Sequence, residues 1–223
     1  MTPDTTTSTS LIIVSDFVCP WCYVGKKRLE KALAQRPGLT VEITWFPYQL
    51  SPDIPREGRD RREHYASIFG AARADEIMAR MKETGAAEGI AFDAPPGARS
   101  PNTLSAHVLL YWASRMAGVD QNLLAEKLFA AHHVRGEDVG DPCVLAGIAS
   151  EVGMNAAEVL NALRDGTDED TVRGLIGQAQ QAGISGVPFF IIGGQHGLSG
   201  AQPPEELLQA LDEVAAGAPS TTH

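Results

Sequence analysis

The chain has 223 residues, a formal net charge of −10 and 43% apolar residues. That is enough for one domain with a large insertion, or for two small domains, around a core that needs no disulfide staple. The acidic balance excludes the basic footprint of a nucleic-acid binder, and no apolar run is long enough for a membrane span. Residues 1–10 are rich in Thr and Ser, without Lys or Arg. They lack the basic and apolar regions of a secretory signal, so they are expected to be a disordered tail on a cytoplasmic protein.

In chain order, Leu11-Ile12-Ile13-Val14 is a continuous branched apolar run, the pattern of a central strand buried on both faces. Pro20 suits the first turn of a helix, and the segment from Trp21 to about Gln35 has helical periodicity until Pro37-Gly38 stops it. Val41–Trp45 alternates like a half-buried strand. Strand, helix and strand in this order favour a parallel pair joined by a right-handed crossover. After the prolines at 47, 52 and 55, residues from about 58 to 165 show helical patterns and no convincing strand. Helices are expected near Arg59–Phe69, Ala74–Glu88, Thr103–Met116, Gln121–His133, Pro142–Val152 and Ala156–Leu163. Breaks are expected at Gly70, Pro95-Pro96-Gly97, Gly118 and Gly136. A further helix, Glu169–Ala182, precedes a strand at Val187–Ile192. The turn Gly193-Gly194 signals a hairpin with Gln195–Ser199. Pro203-Pro204 opens a last helix to about Ala216, followed by a frayed tail. The fold class is therefore α/β: parts 11–56 and 167–216 form one unit, interrupted by an all-helical insertion at 57–166, with tails at 1–10 and 217–223.

The chemistry gathers at Cys19-Pro20-Trp21-Cys22, where the first strand hands over to the first helix. Thiol–disulfide exchange needs a thiolate, and the free N–H groups and dipole of a helix N-terminus stabilise one. Two residues between the sulfurs, in the first helical turn, allow a small disulfide to close. Cys19 is then the exposed attacking thiol, and Cys22 the deeper resolving one. The same CxxC also fits a zinc half-site. A zinc site needs about two further ligands from Cys143, His132, His133 and His196. None of these forms a second close pair of ligands, and the neighbours His132 and His133 should point apart on a helix. Cys143 follows Pro142 at a helix start, a place that lowers a thiol pKa, but reads first as a small buried apolar residue. Pro188 opens a strand, where proline is merely permitted, and its isomer is not readable from propensity.

The segment Ser15-Asp16-Phe17-Val18-Cys19-Pro20-Trp21-Cys22-Tyr23-Val24-Gly25-Lys26 resembles the active-site segment of the DsbA-like oxidoreductases, in their FrnE-like branch. Pro52–Gly58, Pro101-Asn102-Thr103 with His107, Gly186–Phe190 and Leu198–Gln202 resemble that branch too. The resemblance spans nearly the whole chain. It implies a thioredoxin-like fold with a large helical insertion, with Pro188 as a cis-proline facing the sulfurs. Val187 would offer its backbone to a bound peptide, and Asn102 and His107 would stand on the helical part near the site, although His107 also reads as a packed helix residue. It further implies a disulfide oxidoreductase or isomerase acting on protein thiols, as a monomer or homodimer. No tightly bound cofactor or metal is implied, and glutathione or a thioredoxin-type reductant would serve as redox partner. Two other readings stay open. One is a glutathione-dependent isomerase or transferase of the 2-hydroxychromene-2-carboxylate isomerase or kappa type, in which Cys22 has no purpose. The other is a metal-binding or chaperone-like protein.

Overall fold

In the computed structural model, which describes residues 8–217 apart from 94 and 96, the first apolar run is strand β1 (Thr9–Ser15) at the centre of a four-stranded sheet. Helix α1 (Pro20–Ala34) carries the chain to β2 (Val41–Pro47), which lies parallel to β1. At the other end of the chain, β5 (Phe189–Ile192) pairs antiparallel with β1, and β6 (His196–Ser199) pairs antiparallel with β5. The order β2-β1-β5-β6 thus joins one parallel crossover to one hairpin, as the element order predicts. The hairpin turn needs Gly193 and Gly194, both at positive φ.

Period-two alternation sends the β1 side chains to two faces. Leu11 and Ile13 enter the main core, and Val14 joins Tyr48, Ala179 and Ile184 on the other face. The second face includes Ala179 of α8 (Glu169–Gln181). Against the first, α1 packs beside α9 (Pro204–Ala215). The stretch between the sheet halves is mostly helical: α2 (Arg61–Phe69), α3 (Ala71–Ala87), α4 (Leu104–Ala113), α5 (Gln121–Ala130), α6 (Pro142–Glu151) and α7 (Ala156–Arg164). Its apolar side chains, Leu109, Leu124, Phe129 and Leu145 among them, continue the same core that holds Leu11 and Ile13.

Four local expectations need correction. The inserted stretch does contain strand: β3 (Arg59–Asp60) and β4 (Arg99–Ser100) form a two-residue antiparallel ladder. Two residues are too few to show alternation. The Arg99 side chain, donating to the Glu57 and Gly58 carbonyls, holds that ladder's entrance. Thr9 and Ser10, assigned to a disordered tail, begin β1 because the Thr9 backbone pairs along Val41 and donates to the Thr40 carbonyl, which needs no apolar side chain. Residues 1–7 and 218–223 of the expected tails, and Pro96 of the expected break, lie outside the described residues. The helix expected to run to His133 leaves α geometry at Ala130 and ends in a π turn, Ala131–Arg135. The strand expected from Val187 begins only at Phe189.

One ion-pair network ties α1 to α5. Lys26, only 2% exposed, meets Glu30 and also Glu126 at 2.8 Å, and Glu126 in turn accepts from Lys27 at 2.7 Å and from the Tyr23 hydroxyl at 2.8 Å. Lys26→Met removes the buried cation but leaves the partly exposed Glu126 with Lys27 and Tyr23. It should cost about 1 kcal/mol of stability, read as a lowered urea midpoint. Unchanged stability would show that the neighbouring Lys27 and Tyr23 suffice for Glu126.

Candidate active site

Cys19 is the N-cap of α1, with Pro20 at the first helical position. Its side chain makes no cap hydrogen bond and the first turn contains no acidic residue, so the positive end of the helix is left to face the sulfur. The Cys19 N–H donates to the Asp16 carbonyl at 3.1 Å, and Cys22 N–H donates to the Cys19 carbonyl at 3.1 Å. The tight turn between strand and helix thus brings the two thiols next to each other. The Cys19 thiol donates to the Val187 carbonyl at 3.6 Å, across 168 residues of sequence. Val187 and Pro188 are joined by a cis peptide bond. Pro188 approaches α1 closely at Gly25, where an added Cβ would stand 3.1 Å from the Pro188 ring.

Cys22 lies beneath, 1% exposed. Burial, reinforced by the neighbouring Cys19, pushes its thiol well above the ordinary range, while the Ser15 hydroxyl and Asp16 backbone oppose the shift. Cys19 itself is only 5% exposed, which corrects the expectation of an exposed thiol. The physical reason is a cavity of about 260 Å3 whose wall includes Cys19, Pro20 and Trp21 on one side and Tyr65, Ile68 and Phe69 of α2 on the other. The sulfur faces this chamber instead of open solvent. Alkylation of the reduced protein by iodoacetamide at pH 7–8 should therefore modify Cys143 first, Cys19 next, and Cys22 at least about a hundredfold more slowly than an accessible thiol. Peptide mass mapping over time reads the order, and equal rates at Cys19 and Cys22 would contradict this geometry.

The other sequence candidates separate. His107 stands behind the motif. Its Nε2 lies 3.5 Å from the Asp16 carboxylate and its ring packs on Phe17 at 5.0 Å, with both polar side chains 1% exposed. Asp16 also accepts from the Leu50 N–H at 2.8 Å, so one carboxylate fastens the motif to the loop that walls the cavity. Asn102 does not line the sulfur cavity. It donates to the Ile54 carbonyl at 2.7 Å and accepts from Gln49, holding the same loop from outside. Cys143, read as buried, is exposed on α6, with its sulfur 3.6 Å from the Arg164 guanidinium. At the second position of a helix capped by Asp141, it points away from the core.

Sequence reasoning missed His64 and Tyr65 and named His132 only as a possible zinc ligand; all three line the Cys19 cavity. Burial, with smaller contributions from the nearby Cys19 and Asp16, pushes the Tyr65 hydroxyl up to about 12. Burial and Arg59 lower His64, whose Nε2 lies 3.4 Å from the Ser51 hydroxyl. His132 and His133 were expected to point apart. The π turn instead brings their ring centroids to 4.6 Å. Burial lowers both, His133 to about 3, so both are neutral at pH 7. Among the described residues, no group of three or more His, Cys, Asp or Glu stands in a metal-binding arrangement. No described helix is long and apolar enough to cross a membrane.

A helix-capping cysteine over a buried partner, facing a cis-proline at the start of a sheet strand, defines a thioredoxin-type fold with its dithiol at the strand-to-helix turn. The sequence model of the DSBA-like thioredoxin domain matches residues 10–212, and the chain belongs to that family. It is 30% identical over 183 residues to the uncharacterized protein YwbO of Bacillus subtilis, covering 81% of this chain and 85% of YwbO. The crystal structure of the "probable DsbA oxidoreductase SCO1869" of Streptomyces coelicolor superposes with a TM-score of 0.83 at 31% identity, covering 96% of this chain and 92% of that one. A 2-hydroxychromene-2-carboxylate isomerase shares the fold, with a TM-score of 0.68 at 16% identity, over 93% and 97% of the two chains.

Proposed function

We propose that this protein exchanges disulfides with protein clients through the Cys19–Cys22 dithiol, in the cytoplasm. The observation that carries the reading is the placement of Cys19: it is the N-cap residue of α1 and its sulfur lies against the Val187 carbonyl beside cis-Pro188, with Cys22 buried one helical turn on. In the reductive direction, Cys19 thiolate attacks a client disulfide. A Cys19–client bond forms, the client S–S bond breaks, and one client thiolate leaves. Cys22 then loses its proton and attacks Cys19 Sγ, releasing the second client thiolate and closing the Cys19–Cys22 disulfide. Two electrons pass to the client, and glutathione or a thioredoxin-type reductant restores the dithiol. Val187 lies where an extended client peptide could pair its backbone beside the sulfur.

Cys22 weighs against a glutathione-dependent small-molecule isomerase, whose chemistry uses one activated thiol and leaves no step for a resolving cysteine. The test is insulin reduction with a thiol donor. Catalysed precipitation of the insulin B chain well above the donor-only rate is expected. A rate equal to the donor alone, from folded protein with both thiols free, would overturn the proposal.

A further inference from the structure

A second cavity, of about 420 Å3, adjoins the one at Cys19; Tyr65, Met81 and His132 line both. The two differ in chemistry. The chamber at the sulfur is mainly apolar, and its rim includes Leu50, Ile68 and Phe69, three of the large apolar side chains the protein leaves exposed. The second also has an apolar wall, with Met78, Met81 and Phe92, but adds three cationic side chains, Arg61, Arg62 and Lys82, and the neutral rings of His132 and His133. Arg62 and Lys82 face solvent and meet Asp75 at 3.5 Å and Asp93 at 2.7 Å. Arg61 is different. Its guanidinium bonds to the carbonyls of Arg99 and His132 and to the His132 ring, all neutral acceptors, and no carboxylate stands against it among the described residues. Asp60, the acid in the cavity wall, has one carboxylate oxygen committed to capping α2 through the Glu63 N–H. His133, 3% exposed, also lines this cavity and its Nε2 has no hydrogen-bond partner. A partly buried guanidinium satisfied only by neutral groups keeps its charge uncompensated, which favours an anion beside it. In a chain of net charge −10 this cationic chamber runs against the overall field.

We infer that the two adjoining cavities take a small disulfide or thiol with an apolar, aromatic-sized body and a carboxylate, the body in the Cys19 chamber and the carboxylate on the Arg61 side. The inference rests on the dithiol reading above and names a substrate class for the same site. With such a disulfide, Cys19 thiolate attacks one sulfur, a Cys19–S bond forms, and one aryl thiolate leaves. Cys22 displaces the second aryl thiolate and the Cys19–Cys22 disulfide closes. The protein loses two electrons and two thiol protons, and the disulfide gains the electrons.

The test follows oxidation of the reduced protein by stopped flow, in a Cys143→Ser background so that the exposed thiol gives no signal. The probes are 5,5′-dithiobis(2-nitrobenzoate), an aromatic dianion, neutral 4,4′-dithiodipyridine, and oxidised glutathione, which is anionic without an apolar body. Arg61→Gln should lower the rate ratio of the aromatic dianion to the neutral probe about tenfold, and Arg61→Lys should keep most of it. An unchanged ratio in Arg61→Gln, or equal loss with both aromatic probes, would overturn the assignment of the anion to Arg61. An Arg61-dependent gain for oxidised glutathione as large as for the aromatic dianion would overturn the apolar half. If the neutral probe fails to oxidise the Cys19–Cys22 pair at all, the dithiol reading itself fails. If the neutral probe oxidises the pair but the rate of the aromatic dianion does not depend on Arg61, only the present inference fails.

Discussion

Cys19→Ser should abolish disulfide exchange, lowering catalysed insulin reduction by about three orders of magnitude, to the donor-only rate. The size of the effect follows from the geometry. Cys19 sits at the positive end of α1 as its N-cap residue, and no acidic residue of the first turn competes with it. A serine hydroxyl there is neither ionised at neutral pH nor able to form a disulfide, so both the attack and the mixed intermediate are lost. Cys22→Ser should behave differently. The attack survives because Cys19 is untouched, but the buried resolving sulfur is gone, so the Cys19–client disulfide should accumulate. Intact-mass analysis after incubation with a disulfide peptide reads this as one added peptide, released by dithiothreitol. Multiple turnovers by Cys19→Ser would remove Cys19 from the chemistry, and failure of Cys22→Ser to trap an adduct would remove Cys22.

The second large effect is on stability. Burial holds both His132 and His133 neutral, with His133 lowered to about 3. In the unfolded chain both titrate near their ordinary 6.5. Between that value and the folded one, the unfolded state binds more protons than the native state, so stability rises with pH and is lost as pH falls through this window. From pH 7 to pH 5 His133 should remove about 2 kcal/mol, and His132 adds a loss of the same sign. Carboxylates held low by their cations, Glu88 and Glu126, add a loss of the same sign, but below their ordinary 4.5. Urea midpoints at pH 7 and pH 5 measure the slope. His133→Gln, which cannot take a charge, should flatten it by about 2 kcal/mol. A slope unchanged by that substitution would mean that His133 is not held neutral in the native state.

What the sequence made legible was local. The branched run before Cys19, the proline after it and the amphipathic stretch beyond are each a short-range signal, and together they place the dithiol at a strand-to-helix turn before any contact is known. The cis-proline opposite was reachable only through family resemblance, because Val187 meets Cys19 across 168 residues. The cavity was not legible for the same reason. His64 and Tyr65 come from α2 and His132 from a π turn, and nothing in their spacing says that they converge on Cys19. One signal did exist. Tyr65, Ile68 and Phe69 form a stripe at helical spacing, yet α2 has no fully buried residue. An apolar stripe left uncovered lines a cavity or a binding face more readily than a core. Cys143 was misread from a residue-type tendency: free cysteines are usually buried, but its side of α6 faces solvent.

The most direct test of the account is a redox titration of the Cys19–Cys22 pair in glutathione buffers, read by mass after thiol alkylation. A single reversible two-electron transition is expected, present in the Cys143→Ser protein and absent in Cys19→Ser. Folded protein whose Cys19 and Cys22 show no transition, or whose thiols resist alkylation until a chelator is added, would contradict it.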